Sequence, residues 1–259
     1  MVSLRLGVDS GGTFTDVCML DEETGRFSVW KLSSTPNDPS VAIARGAYEV
    51  ISEYSEDDIN VAFFGHGTTV STNALIQGRG ACCGLITSDG FRDLLDLARQ
   101  RRPDLYDLQT EKPPALVPRD RRFEVSQRIF FDGTVEREPT DEEIRLVARQ
   151  LREGGAEAVA VCFLYSFVDK THEARVIDIL RQELGDAFLT ASHEVCPEFR
   201  EFERLSTTVV NAFLGPVMKG YLSRLTPRLV EAGIDAPPFI TQSNGGTITF
   251  ESAARLPVR

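Results

Sequence analysis

Leu6-Gly7-Val8-Asp9-Ser10-Gly11-Gly12-Thr13-Phe14-Thr15-Asp16 is the stretch on which the reading of this chain turns. Ahead of it Leu4, Leu6 and Val8 alternate with Ser3, Arg5 and Gly7, the period of two that marks a half-buried strand. Asp9-Ser10-Gly11-Gly12-Thr13 then supplies turn chemistry, and an apolar run resumes from Phe14 to Leu20. A second turn, Asp21-Glu22-Glu23-Thr24-Gly25, leads into Arg26–Leu32, so the chain opens as a three-stranded antiparallel meander. Paired glycines in the first turn leave backbone N–H groups open to the close approach of phosphate oxygens. Thr13 and Thr15 add hydroxyls on alternating positions, hence on one expected face, and Asp9 stands where a water-bound Mg²⁺ could be held. The pattern is neither GxxxxGK[ST] nor GxGxxG, both of which need a following helix. It also reads as an ordinary hairpin turn closed by Asp and Ser.

Beyond the meander the period changes. Asp38-Pro39 predicts an N-cap and a helix from about Ser40 to Tyr54, with Ile43, Ala47, Val50, Ile51 and Tyr54 on its apolar face. Val61–Phe64 reads as a short buried strand ended by Gly65-His66-Gly67, and Thr68 or Thr69 as the cap of a helix carrying Val70, Ala74, Leu75 and Ile76. Ala81–Thr87 is a strand, and Gly90-Phe91 opens a helix towards Arg101. Strands alternating with helices after a meander indicate an α/β core with a mixed sheet. Residues 103–127 interrupt the alternation with Pro103, Pro113, Pro114 and Pro118, and arginines crowd 99–102 and 119–122. Interspersed acids make those arginines a solvated surface, and the stretch an insertion or connection. A strand over Ser126–Phe131, a helix capped at Thr140, a strand over Glu157–Leu164, a helix over Lys170–Leu184 and a strand over Ala187–Ala191 follow. A long helix from about Phe199 to Glu231, bent near Gly215-Pro216 and Pro227, precedes a last strand over Pro237–Thr241. The expected organisation is an N-terminal α/β subdomain over 1–100, a Pro/Arg-rich connection over 101–125 and a second α/β subdomain over 126–259.

Composition narrows the class without naming a chemistry. The chain has 259 residues, 42% hydrophobic and 26% charged, with a formal charge of −11. That charge argues against nucleic acid and anionic membrane as main partners. No apolar run approaches the roughly 20 residues of a membrane span. Five cysteines without CxxC spacing read as reduced thiols, which points to a cytoplasmic location.

Other segments leave two readings open. His66, between two glycines, is either a general acid–base group at a strand end or a turn histidine. Gln242-Ser243-Asn244-Gly245-Gly246-Thr247 is either a nucleotide-contacting turn or a plain hairpin between Phe239–Thr241 and Thr247–Phe250. His193 and Cys196 invite a metal, yet their spacing matches no standard zinc signature. Cys82-Cys83 reads as core and His172 as surface.

Four blocks together carry a resemblance. LGVDSGGTFTD (6–16) is similar to the first phosphate loop of the actin, sugar-kinase and heat-shock-chaperone ATPase superfamily. With GHGTTVSTNAL (65–75), PEFREFERLSTTVVNAFLGP (197–216) and QSNGG (242–246), in that order, the chain resembles the hydantoinase A/oxoprolinase family. The resemblance implies an actin-like ATPase (ribonuclease H-like) α/β fold, a mixed sheet with flanking helices in two subdomains. It implies ATP and Mg²⁺ as cofactors and the opening of a small cyclic amide, of hydantoin or 5-oxoproline type, by phosphorylation of its carbonyl oxygen. Relatives in which the same phosphorylation serves acetone- and acetophenone-type carboxylases keep that alternative in view, as does a non-catalytic nucleotide-binding or assembly module. The resemblance implies Asp9, Gly11, Gly12, Thr13, Thr15 and Asp16 as the phosphate and metal loop, with Asp9 as metal ligand and catalytic group; His66 as a second catalytic group and Gly245 and Gly246 as nucleotide contacts are readings of the residues themselves. Members of the family continue well past the matching region and carry a second phosphate loop, which 1–259 lacks. A partner subunit or homo-oligomer is therefore expected, with this chain corresponding to the N-terminal portion.

Overall fold

The computed structural model describes residues 2–53, 59–101, 103, 104, 106, 107 and 109–259. Tyr54 of the expected first helix and Arg102 of the arginine run lie outside the described residues. Two compact units are present, one formed by 1–74 with 217–257 and Arg259, the other by 75–216 with Val258. The 101–125 stretch, expected to separate the subdomains, lies within the second unit, and the first is completed by a segment far along the chain.

The first unit is built on β1 (Val2–Ser10), β2 (Phe14–Asp21), β3 (Phe27–Ser33), β4 (Ile59–Thr68), β11 (Pro238–Thr241) and β12 (Thr247–Thr249), in sheet order β12-β11-β4-β1-β2-β3. The meander expected from the alternation is present: β1–β2 and β2–β3 pair antiparallel, whereas β4 pairs with β1 and β11 with β4 in parallel. Alternation sends Leu4, Leu6, Val8, Val17 and Met19 to one face, where they are fully or almost fully buried. Helices α1 (Pro39–Ile51), α7 (Glu201–Glu231) and α8 (Phe250–Arg255) supply the other half of that core through residues such as Ile43, Leu222, Leu225 and Phe250. The short α2 (Val70–Ile76) follows β4, where the sequence places it. Asp38 does not cap α1 as expected. Its carboxylate takes the Ser40 hydroxyl and the Arg228 guanidinium at 2.5 Å, and Thr35 Oγ1 accepts the Ala42 N–H instead.

The second unit holds an all-parallel sheet of β5 (Cys83–Ser88), β6 (Arg122–Val125), β9 (Ala158–Cys162) and β10 (Phe188–Ala191), ordered β10-β9-β5-β6. Every residue of β5 and β9 is buried, as parallel strands covered on both faces require. Helices α4 (Asp141–Glu153) and α5 (Thr171–Leu184) contribute Ile144, Leu151, Val176 and Leu180 to its core. Thr140 caps α4 by accepting the Glu143 N–H at 3.2 Å, as the spacing predicts. β7 (Arg128–Ile129) and β8 (Val135–Arg137) form a separate hairpin, and the single turn α6 (Ser192–Val195) follows β10.

Three expectations change here. The helix expected from Gly90 to Arg101 reduces to α3 (Leu94–Leu97), because Ala98 and Gln100 take left-handed backbone angles of 49° and 55° and Lys112 binds the Asp96 and Leu97 carbonyls. Arg122 is no surface arginine. It is 3% exposed, opens β6, and donates to the Val117 carbonyl and to both oxygens of Asp96. His172 is buried rather than exposed. Helix α7 runs unbroken for 31 residues through Pro216 and Pro227, its N-terminal half belonging to the second unit and its C-terminal half to the first.

Candidate functional site

The β1–β2 turn has a definite pattern of used and unused hydrogen-bonding groups. Gly11 N–H donates to the Phe14 carbonyl at 3.0 Å, closing the turn. The end of β3 then takes the turn's carbonyls: Ser34 N–H donates to Thr13 at 2.9 Å and the Ser34 hydroxyl to Gly11 at 2.8 Å. Because Ser34 spends its only hydroxyl proton on Gly11, Thr15 must donate to Ser34 Oγ, 2.9 Å away. The N–H groups of Gly12 and Thr13 have no partner among the described residues, and both residues are exposed. A Cβ built on Gly12 meets nothing within 4 Å, and neither Gly11 nor Gly12 has a positive φ. The fold itself does not demand glycine at position 12. What glycine supplies is an unscreened backbone carrying two free donors, the form an anion cradle takes.

Thr15 does not join that exposed surface. It is fully buried, its hydroxyl enclosed between Ser10 and Ser34, so the expectation that Thr13 and Thr15 share an exposed face fails for Thr15. In β2 it lies on the core side with Val17 and Met19 and holds the turn from beneath.

Asp9, Asp16 and Lys31 sit side by side on the opposite face of the sheet. Asp9 registers with Asp16 across β1–β2, Asp16 with Lys31 across β2–β3, and Gly67 with Asp9 across β4–β1. Lys31 Nζ contacts Asp16 at 2.6 Å and lies 5.2 Å from the Phe14 ring centre, so Asp16 is already neutralised. The Asp9 carboxylate is exposed and has no hydrogen-bond or ionic partner among the described residues. A free carboxylate on β1 and two free N–H donors in the turn that β1 leads into are the kinds of group that an Mg²⁺–phosphate ligand uses.

Two matches cover most of the chain. Residues 5–184 match the family model described as the hydantoinase/oxoprolinase N-terminal region, and residues 204–259 match the hydantoinase/oxoprolinase model. The chain belongs to the hydantoinase/oxoprolinase family. It is 38% identical to the caprolactamase alpha subunit of Pseudomonas jessenii over 93% of this chain and 36% of that one. It is 29% identical to the 5-oxoprolinase of Saccharomyces cerevisiae, over 95% of this chain and 22% of that one. The crystal structure of the ATP-dependent P. jessenii caprolactamase superposes with a TM-score of 0.83 at 37% identity, over 94% of this chain and 36% of that one. Nucleotide-free acetone carboxylase superposes with a TM-score of 0.86 at 25% identity, over all of this chain and 39% of that one. The actin-like ATPase fold expected from the sequence is the fold observed. The hydantoinase/oxoprolinase chain described here thus spans about two fifths or less of the length of these relatives.

In this family member His66 is not placed to exchange protons with a substrate. β4 continues through Gly65-His66-Gly67 instead of ending there, which turns His66 to the core face, where it is fully buried. Its Nδ1 lies 3.0 Å from the Val8 carbonyl and must be the protonated nitrogen; its Nε2 accepts from the Tyr221 hydroxyl at 2.5 Å. Both ring nitrogens are committed. Burial pushes the imidazole from its ordinary 6.5 down to about 4. A pH dependence follows from that depression. Between pH 6.5 and about 4 the unfolded chain binds a proton that the folded chain refuses, so stability present above pH 6.5 is lost as pH falls through that window. The expected loss is about 3 kcal/mol at the acid end. Urea denaturation at several pH values checks it: the difference between wild type and His66→Gln should shrink from pH 7 to pH 4.5, and a constant difference would exclude His66 as the source.

Gly245 and Gly246 also take another role. Gly245 has φ +85°, the left-handed conformation a tight turn needs, and its N–H donates to the Gln242 carbonyl. The Gly246 N–H donates to Asn244 Oδ1 at 2.8 Å. Both N–H groups are therefore engaged within the β11–β12 hairpin.

His193 and Cys196 hold no metal-like cluster; among the described residues no group of three or more His, Cys, Asp or Glu could bind an ion. His193 Nδ1 instead lies 2.7 Å from Glu173, a carboxylate with no exposed surface that also accepts from Phe163 N–H, Ser192 Oγ and His193 N–H. Arg204 binds the carbonyl side of the same Phe163 residue at 2.9 Å. Residues that sequence reasoning passed over are Ser34, which pins the turn, Lys31, which neutralises Asp16, and Tyr221, which fixes His66. The alternation of β3 carried the signal for Lys31; Tyr221 lies 155 positions from its partner and left none. No helix among the described residues is long and apolar enough to cross a membrane.

Proposed function

We propose that this chain is the phosphate-binding portion of an ATP-dependent cyclic-amide hydrolase. The observation that carries the reading is the β1–β2 turn, whose carbonyls are tied down by Ser34 while the Gly12 and Thr13 N–H groups stay free, with the unpaired Asp9 on the strand that leads into it. Amide resonance makes direct attack by water slow, and a phosphoryl group on the carbonyl oxygen makes the ring carbon electrophilic. One ATP and two waters then balance one ring opened to an amino acid, with ADP and phosphate released. The turn's contribution is to hold the transferring phosphate and spread its charge over fixed N–H dipoles. Asp9 would hold Mg²⁺, which when bound neutralises charge on the phosphate oxygens. Thr13 adds an exposed hydroxyl at the same turn, and Thr15 and Ser34 keep the loop in shape. The relatives named as a caprolactamase and a 5-oxoprolinase support a lactam-type substrate, and a name that includes "subunit" supports a companion polypeptide.

Superposition on acetone carboxylase over the whole chain favours a second reading, in which the same phosphorylation activates a ketone. Calorimetry with Mg·ATP tests the common step, and absence of binding would remove both readings. Phosphate release stimulated by caprolactam, hydantoin or 5-oxoproline, assayed with the companion polypeptide present, supports the hydrolase. Stimulation by acetone or acetophenone with bicarbonate, and not by lactams, supports the carboxylase.

A further inference from the structure

We infer that Gly67 is a positioning residue that aims the Asp9 carboxylate, across β1 from the His66 side chain that is bonded to the preceding Val8 carbonyl. The inference rests on the phosphate-loop reading of Asp9. Parallel pairing sets Val8 opposite His66 and Asp9 opposite Gly67. On the core face, His66 donates from Nδ1 to the Val8 carbonyl and is held by Tyr221 of α7, so the peptide leading into Asp9 is bonded to a packed side chain. On the other face, a Cβ at Gly67 would stand 2.8 Å from Asp9 Oδ1 and 3.5 Å from its Cγ. The Asp9 side chain therefore lies across the bare backbone of β4, in space that only glycine leaves open. Gly67 has no positive φ, so its backbone conformation does not require glycine. The requirement comes from Asp9.

A methyl group at position 67 meets only the far end of a flexible side chain. The fold accommodates it, and Asp9 is forced to another rotamer. The Gly65-His66-Gly67 pattern thus has a use with no proton transfer in it: the His66 ring is bonded to the Val8 carbonyl ahead of Asp9, and Gly67 fixes where the Asp9 carboxylate lies.

The test is ATP binding by calorimetry with and without Mg²⁺, on wild type, Gly67→Ala, Asp9→Asn and the double variant, alongside Mn²⁺ binding by electron paramagnetic resonance. Gly67→Ala is expected to keep the wild-type melting temperature and metal-free ATP affinity. It should lose most of the metal-dependent gain, by about tenfold, as Asp9→Asn does, and the double variant should be no worse than Asp9→Asn alone. Wild-type metal dependence in Gly67→Ala, or additive losses in the double variant, would overturn the inference. Should wild type itself bind no Mg·ATP, the phosphate-loop reading fails, and a crystal structure of Gly67→Ala decides the steric claim separately. An Asp9 rotamer displaced from its wild-type position upholds it, and an unmoved Asp9 sinks it.

Discussion

Gly12→Val should cut Mg·ATP affinity on the order of 10- to 100-fold, since a charge-assisted hydrogen bond from a backbone N–H is worth about 1.5–3 kcal/mol. The melting temperature should stay where it is. The two halves of this expectation come from different features. The Gly12 backbone is not in the left-handed region and nothing stands within 4 Å of its Cβ, so a valine strains neither backbone nor packing. The same open space is where an anion must approach to reach the Gly12 and Thr13 N–H groups, and an isopropyl group there holds phosphate oxygens off both donors. Calorimetry and differential scanning fluorimetry on the same preparation separate the two. A variant that melts normally and still binds with wild-type affinity would show that the turn is a hairpin and nothing more.

The largest loss of stability is expected at Glu173→Ala. Four donors converge on this carboxylate: Phe163 N–H, Ser192 Oγ, His193 N–H and His193 Nδ1, at 2.6 to 2.9 Å. With no exposed surface at the site, no solvent is at hand to replace the acceptor. Removing one member of a buried charged network costs about 3–5 kcal/mol. Arg204 aggravates the loss, since its guanidinium holds the Phe163 carbonyl and would keep a buried positive charge after the nearby negative one has gone. Denaturation midpoints for wild type, Glu173→Ala and Glu173→Gln measure this. Glu173→Gln, which retains one acceptor oxygen, should fall between the other two. A change under about 1 kcal/mol for Glu173→Ala would put the site in the range of ordinary surface substitutions and remove the network from the list of what holds this unit together.

Sequence reading served well where physics is local. The alternation of Leu4, Leu6 and Val8 and the turns at Gly11-Gly12 and Asp21–Gly25 placed the meander, because strand pairing across a tight turn depends on nearby residues alone. The Thr140 cap was legible for the same reason. What stayed hidden depended on partners distant in the chain. Arg122 looked solvated among its charged neighbours, and its burial is made tolerable by Asp96, 26 positions back, together with the Val117 carbonyl. Asp38 has the chemistry of a cap, yet Arg228 from α7 draws its carboxylate away. His66 stood out correctly as unusual; the reason lay in the parallel register with β1, which no local pattern reports. At the candidate site, Asp9, Gly12 and Thr13 are exposed around the turn. Thr15 turns inward to support the loop, Asp16 stays on the outer face paired with Lys31, and the Gly245 and Gly246 N–H groups are used within their own hairpin.

The division of the first unit between residues 1–74 and 217–257 has a consequence for how the protein is made. β1 to β4 and α1 leave the ribosome early, yet Leu222, Leu225 and Leu229, which cover Leu4, Leu6 and Ile43 in the shared core, emerge only after the whole second unit. At ~5–20 residues per second the wait is roughly seven to thirty seconds. The second unit, continuous apart from Val258, has its parallel sheet in hand before then. Translation therefore favours a sequence in which the later-encoded unit folds first, and the strand leading into the β1–β2 turn stays without its helical cover until α7 arrives.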